Sequence, residues 1–184
     1  MHTPPRIVVV GGGYAGVMAA RAALERRAQV TLVDADGHHG FLPRLATVAA
    51  GVGPESDADA PLAELLPGDE RPGPLIVVLT APHEGAGTST LARGLARRLD
   101  ERGESGVLLV TDDVAGIDHH ARALATAAGR GIEWDALVLA AGAHATAPPI
   151  PGLADHAWTL RTPEDARRLR ALVPTAESLV VVGA

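Results

Sequence analysis

The sequence predicts an α/β fold built on a parallel sheet, and three observations carry the prediction. An apolar run, Arg6-Ile-Val-Val-Val10, leads straight into Gly11-Gly12-Gly13-Tyr14-Ala15-Gly16, and an apolar helical pattern follows. A second apolar run, Val30-Thr-Leu-Val, closes on Asp34, 18 residues past Gly16. Further short apolar runs recur at Leu75–Thr80, Gly106–Thr111 and Ala136–Ala141, with a helical stretch over Thr90–Asp100. Strands that alternate with helices in this way make parallel sheets covered on their faces.

Residues 6–10 and 30–33 are predicted as parallel strands around a helix from about 14 to 27, with Val17, Ala20 and Leu24 on its apolar stripe. In the turn between them each part of G-x-G-x-x-G has a mechanical job in holding a dinucleotide. Gly11 permits the tight turn out of the strand. Gly13, lacking a Cβ, lets the backbone approach a pyrophosphate. Gly16 lets the helix pack close to the strand. Tyr14 and Ala15 open a helix whose first N–H groups and positive dipole end face the phosphates. A carboxylate at Asp34 suits the ribose hydroxyls. The fold class that follows is a three-layer Rossmann-type dinucleotide-binding fold.

Residues 36–53 are expected to form a loop and a short helix, including Phe41-Leu42-Pro43-Arg44-Leu45. Residues 54–74, rich in Pro, Gly and Asp, resemble a surface connection around a short helix near 60–66. Leu75–Thr80 is expected as a buried strand and Gly106–Thr111 as another. Ala121–Ala128 is expected to pair through a turn near Gly129-Arg130-Gly131, and Ala136–Ala141 to end in Ala140-Ala141-Gly142. Thr162-Pro-Glu-Asp165 starts a helix with Thr as N-cap, Pro at the first position and Asp in the capping-box place. Leu179–Ala184 is expected as one more strand entering a glycine turn.

Composition narrows the chemistry. The chain has 184 residues, 47% hydrophobic and 21% charged, as a globular protein does. Apolar runs of only 4–6 residues fall far short of a membrane span. The start, Met-His-Thr-Pro-Pro, carries no signal-peptide hydrophobic region, so the expected compartment is the cytoplasm. A net charge of −6 argues against a nucleic-acid partner. Cysteine and lysine are both absent, which excludes thiol catalysis, cysteine metal sites, Schiff bases and a phosphate-loop lysine.

Other candidates have plainer accounts. His38-His39 and His119-His120 have no carboxylate three or four residues after them to complete a metal site, and are expected to be solvated turn residues. Asp57 and Asp59 are expected to face solvent from a polar loop. Arg167, Arg168 and Arg170 are expected on a solvated helix face with Glu164 and Asp165. No catalytic acid, base or nucleophile is assigned, and no metal.

Together these pieces resemble the flavoproteins with two dinucleotide-binding domains, the FAD-dependent pyridine nucleotide oxidoreductases, and most closely their type II NADH dehydrogenase-like members. The resemblance covers Arg6–Gly51, resumes at Val114-Ala-Gly-Ile-Asp118 and runs through Ile132-Glu-Trp-Asp-Ala-Leu-Val-Leu-Ala-Ala-Gly142, and includes Pro149-Ile-Pro-Gly152 and Thr162-Pro-Glu-Asp-Ala166. The stretch Ile132–Gly142 is similar to the family's Y-D-x-L-V-L-A-T-G strand and turn, with Trp134 for Tyr and Ala141 for Thr. The resemblance implies FAD as cofactor, with Gly11, Gly13 and Gly16 at its pyrophosphate and Asp34 at its ribose. It implies Phe41, Pro43, Ala140, Ala141 and Gly142 nearer the flavin or the pyrophosphate, and keeps His39, close to the flavin-side loop, as a flavin-pocket candidate; at Ala141 only backbone can make the contact. It further implies NAD(P)H binding in a full-length parent, a small-molecule electron acceptor of quinone type, and attachment of that parent at the inner face of the membrane.

The middle of the chain departs from that family. Leu75–Thr80, Gly85-Ala-Gly87-Thr-Ser-Thr90 and the helix after it resemble the phosphate loop of the bacterial tyrosine-autokinase and cell-division ATPases. Thr88 stands where that group has its lysine, and Asp112 and Asp113 also fit the flavoprotein's own strand and turn, so the expectation is a strand–loop–helix insert without ATPase activity. The expected organisation is an FAD-binding βαβ unit and flavin-side loop over 1–71, the insert over 72–106, the remainder of the FAD-binding portion and linker helix over 107–178, and the start of a truncated NAD(P)-binding unit over 179–184. A non-enzymatic nucleotide-binding module, or an inactive fusion or truncation with a degenerate phosphate loop, stays open as an alternative.

Overall fold

In the computed structural model, described over residues 4–66, 75–80, 106–146 and 148–181, five strands form one sheet. They are β1 (Arg6–Val10), β2 (Gln29–Asp34), β5 (Leu75–Thr80), β6 (Gly106–Thr111) and β10 (Ala136–Leu139), in the order β10-β1-β2-β6-β5. Every pairing in it is parallel. The register runs straight across, so that Val8 pairs with Thr31 and Leu137, and Thr31 pairs with Leu108. The predicted strand at Leu75–Thr80 exists and occupies the sheet edge beside β6. The loop Gly85–Thr90 and the helix expected over Thr90–Asp100 lie outside the described residues.

Side chains of a strand alternate between faces, and a sheet buried on both faces reads as a continuous apolar run. Val8, Val9 and Val10 accordingly divide between two cores. On one face Val9, Val30, Leu32, Val107 and Leu109 meet helix α1 (Tyr14–Glu25) through Val17, Ala20, Ala23 and Leu24. On the other, Val8, Val10, Val33 and Val110 meet Leu124 and Trp134. The layer on that second face is a small antiparallel sheet: β7 (Val114–Asp118), β8 (Ala123–Thr126) and β9 (Gly131–Glu133). The β8–β9 pairing matches the turn predicted near Gly129, whose φ is +77°.

α1 ends without glycine. Arg27 takes the left-handed conformation at φ +60°, and the N–H groups of Arg27 and Ala28 donate to the carbonyls of Leu24 and Ala23. The short helix α3 (Leu62–Leu65) was expected on the surface. Instead Leu62 and Leu66 are buried in the α1-side core, because that stretch supplies apolar cover the sheet face would otherwise lack.

Charges fasten the start of β1. The Arg6 N–H donates to Asp135 Oδ2 at 2.8 Å, and the Arg6 guanidinium meets Glu133 at 3.1 Å. The backbone bond from Arg6 holds the Asp135 carboxyl below the usual aspartate range. The side-chain bond to Glu133 holds the Arg6 guanidinium above its usual value. Asp112, at the end of β6, is nearly buried and accepts from the N–H of Asp113 and Ala128, with the Arg130 guanidinium 3.6 Å away. That is the structural account of Asp112 that the sequence allowed.

The described residues divide into two compact units, one within Met1–His39 and Pro61–Gly142, the other within Gly40–Ala60 and Ala143–Ala184. β3 (His38–Gly40) and β4 (Asp59–Pro61) carry the chain from one to the other. The second unit packs α2 (Leu42–Ala49) on α5 (Pro163–Leu172) through Leu45, Val48, Ala49, Ala58 and Ala166. A one-turn helix, α4 (Leu153–His156), precedes α5. The capping box forms as predicted: Thr162 Oγ1 accepts from the Asp165 N–H at 3.1 Å, and Asp165 Oδ2 accepts from the Thr162 N–H at 2.9 Å.

Arg167, Arg168 and Arg170 lie on an exposed helix face, and Arg167 and Arg168 make the expected local pairs with Glu164; Arg167 and Arg170 also reach Glu55 at 3.6 and 3.9 Å. Two other expectations fail in this unit. Asp57 pairs with Arg44 at 3.1 Å and Asp59 lies 4.0 Å from Arg167, so neither simply faces solvent. Leu179–Val181 forms no strand, and Val180 and Val181 are 83% and 79% exposed. A strand exists only through a ladder partner, and no described strand pairs with these residues.

Candidate nucleotide-binding site

β1 ends at Val10 and the chain turns at once at Gly11, whose φ is +99°. An L side chain rarely adopts that conformation, and a Cβ here would run into the Ala140 carbonyl. The Gly11 N–H donates to the Val33 carbonyl at 2.8 Å, and the Ala140 N–H donates to the Val10 carbonyl at 2.7 Å. The loop therefore sits between the ends of β2 and β10. Ala140 and Ala141, two predicted site residues, lie against it through backbone. Gly142, with φ +75°, turns the chain just after them.

The remaining motif glycines separate by function. A Cβ on Gly16 would collide with the Gly11 carbonyl oxygen, so Gly16 permits the close helix–strand contact predicted for it. A Cβ on Gly13 would meet nothing within 4 Å. Gly13 takes extended backbone, φ −70° and ψ −176°, that any residue adopts. Glycine at this position is thus not required by the protein's own packing. It keeps the space in front of the loop open, as contact with a pyrophosphate demands.

Gly13 is also the N-cap of α1, with no side-chain hydrogen bond, and the first turn of the helix holds no acidic residue. The first N–H groups of a helix have no partner inside it and carry the positive end of its dipole. Tyr14 and Ala15 lie in that turn, and Tyr14 is half exposed. An anion placed there meets donors and positive potential with no competing carboxylate on the same turn.

Asp34 ends β2 beside the loop. Its Oδ2 accepts from the Gly12 N–H at 2.7 Å, and its Oδ1 accepts from the N–H groups of Asp36 and Gly37 at 3.0 and 2.8 Å. An ionised carboxylate has about four lone-pair sites. Three are engaged by backbone, which locks the carboxylate in place with acceptor capacity for a hydroxyl. Phe41 and Pro43 belong to the second unit, where Phe41 is the N-cap of α2 and Pro43 lies in its first turn.

Sequence reasoning missed one residue here. Gly12 occupies a variable position of the motif, yet a Cβ on it would strike Leu62 and come within 3.0 Å of Asp34 Oδ2. The run of three glycines is the available signal for it. Of the two readings of His39, the solvated turn residue fails. His39 is only 2% exposed, its Nδ1 lies 2.9 Å from the Gly12 carbonyl oxygen, and its ring meets Tyr14 edge-on at 4.5 Å. His38, one residue earlier, is exposed, as are His119 and His120, whose rings lie 3.8 Å apart. Among the described residues no three His, Asp or Glu side chains converge on a metal position.

Comparison with known proteins extends this geometry. A family model described as pyridine nucleotide-disulphide oxidoreductase matches residues 5–184. An NADH dehydrogenase-like protein of Mycobacterium tuberculosis is 30% identical over 97% of this chain. The alignment covers 39% of that relative, so the chain spans about two-fifths of its length. Among solved structures, the sulfide:quinone oxidoreductase of Aquifex aeolicus matches 93% of this chain and 32% of its own, at 20% identity and a TM-score of 0.62. NDH2 of Plasmodium falciparum, solved in complex with NADH, matches 90% of this chain and 28% of its own, at 14% identity and a TM-score of 0.61. At such identities the two structures speak to the fold alone.

Proposed function

The chain belongs to the pyridine nucleotide-disulphide oxidoreductase family, and on that premise we propose that its Gly11–Gly16 loop holds FAD as the flavin-bearing part of an NADH:acceptor oxidoreductase. The observation that carries this reading is the uncapped, acid-free N-terminus of α1 beside a backbone-locked Asp34. The α1 N–H groups would hold the pyrophosphate, with Gly13 leaving room for it. Asp34 would accept from the adenosine ribose. The backbone of Ala140–Gly142 would border the site where β10 ends.

FAD, when bound, supplies hydride acceptance and onward electron transfer, and the protein supplies position and electrostatics. No side chain of the site acts as a catalytic acid or base in this reading. Residues 1–71 and 107–178 make up the FAD-holding portion, with 72–106 inserted between them. NADH is the donor in this reading, a choice supported by the NADH dehydrogenase-like relative, and a quinone-type small molecule is the proposed acceptor. Among the described residues no helix is long and apolar enough to cross a membrane.

The test is a titration of the unliganded chain with FAD and, separately, with FMN, followed by quenching of flavin fluorescence. FMN lacks the adenosine half and the pyrophosphate. FAD is expected to bind at micromolar concentration or tighter, about −8 kcal/mol, and FMN at least a hundredfold more weakly. Equal binding of the two, or none of FAD, contradicts the reading.

A further inference from the structure

The glycine loop consists of two successive peptide planes, and each is held by one side chain. Asp34 Oδ2 receives the Gly12 N–H and so orients the Gly11–Gly12 plane. His39 faces the Gly12 carbonyl oxygen at 2.9 Å and so orients the Gly12–Gly13 plane. Carbonyl oxygen only accepts, so His39 must carry a proton on Nδ1 for this contact to be a hydrogen bond. In a trans peptide the C=O and the N–H point in opposite directions. Drawing the Gly12 carbonyl toward His39 therefore turns the Gly13 N–H away from it. Leu62, fully buried against Gly12, closes the remaining side.

From this geometry we infer that His39 is a positioning residue for dinucleotide binding, setting through its Nδ1–H and the Gly12 carbonyl the direction in which the Gly13 N–H is presented to the ligand. Burial suits the role. A histidine at 2% exposure, with its ring edge-on to Tyr14, holds one orientation without water competing for the bond. A flexible or solvated donor would leave the Gly12–Gly13 plane free to rotate, and its orientation would have to be fixed at the moment of binding. The inference rests on the reading that the loop binds FAD.

Two measurements test it. In the unliganded full chain, the ring ¹⁵N resonances of His39 report which nitrogen carries the proton; Nδ1 is expected, and a ring protonated only at Nε2 overturns the inference. The second compares FAD affinity in wild type, His39→Ala, His39→Asn and His39→Gln. The Asn amide places a donor near Nδ1, whereas the Gln amide places it near Nε2. Loss of one such hydrogen bond corresponds to about tenfold in affinity, so His39→Ala and His39→Gln are expected to weaken FAD binding by about that factor. His39→Asn should stay within about threefold of wild type. Asn and Gln variants of equal affinity, or affinities that merely follow the thermal stability of the variants, overturn it. If His39→Ala does not fold, the Asn–Gln pair still decides. A wild type that binds no FAD contradicts the functional reading instead, and the tautomer then decides the His39–Gly12 bond alone.

Discussion

The two units of the molecule are held together by different physics. In the first, a parallel sheet is buried on both faces, and the loop after β1 depends on glycines packed against backbone. In the second, a small core around Leu45, Val48 and Ala166 is bordered by ion pairs of Arg44, Arg167 and Arg170 with Glu55, Asp57 and Asp59. Backbone packed on backbone cannot yield, whereas exposed ion pairs can break and be replaced by water. Substitutions at the first unit's glycine loop should therefore be costly and insensitive to salt. Surface substitutions in the second should be mild and salt-dependent.

Gly11→Ala probes the rigid end of that contrast. The left-handed φ costs about 1–2 kcal/mol, and crowding the Ala140 carbonyl adds about 1–3 kcal/mol. The denaturant midpoint should fall accordingly, by the same amount in low and high salt. A loss below about 1 kcal/mol would show that the loop can move off β10 and would end the contrast.

Leu45→Ala asks whether the second unit's core matters as much as its charges. Leu45 is 1% exposed, and truncating such a leucine costs about 2–4 kcal/mol. Thermal or urea unfolding measures it, and an effect no larger than that of an arginine substitution would mean the charges dominate.

Smaller effects belong to the helix cap. Thr162→Ala should cost about 1 kcal/mol. Partial burial works against the Asp165 charge, but the N–H groups of Arg161 and Thr162 outweigh it and hold the carboxyl below its ordinary range. Because that folded-state value is depressed, the stabilisation is complete above the ordinary aspartate pKa of about 3.9. It is lost as pH falls through the lower, folded-state value. Asp165→Asn should accordingly destabilise at neutral pH, with the deficit shrinking in acid; a deficit unchanged by pH would assign the effect to geometry and not charge.

Arg167→Gln should change least. It loses contacts with Glu55, Asp59 and Glu164, all partly exposed, and such pairs contribute about 0–1 kcal/mol. Raising the ionic strength should remove most of the difference from wild type. A deficit that persists at high salt would mean that the long arginine stem, packed against its neighbours, matters more than its charge.

What the sequence made legible follows the same division. The β1–loop–α1–β2 run, Asp34 and the Thr162–Asp165 cap are specified by neighbours along the chain, and each was found where expected. The burial of His39 and Leu62 and the pairing of Asp57 and Asp59 depend on residues brought in from elsewhere in the fold. Spacing and propensity do not encode such partners. Leu179–Val181 shows the reverse error: the apolar run that begins at Leu179 reads as a strand, but its described residues pair with no other strand and form none. Within the motif itself, position in G-x-G-x-x-G assigns Gly11 to the turn, Gly16 to packing and Gly13 to a ligand, and the crowding at the first two against open space at the third follows the same division.

That last distinction gives the most direct test of the account. Gly11 and Gly16 are required by contacts within the protein, while Gly13 has open space where its Cβ would stand and backbone angles any residue accepts. The measurement is FAD titration of wild type and Gly13→Val, paired with the thermal midpoint of each unliganded protein. The account predicts a wild type that takes up FAD, and a Gly13→Val variant with nearly unchanged unfolding and no flavin uptake. A variant that still binds FAD as tightly as wild type, or a wild type that binds none, would contradict it.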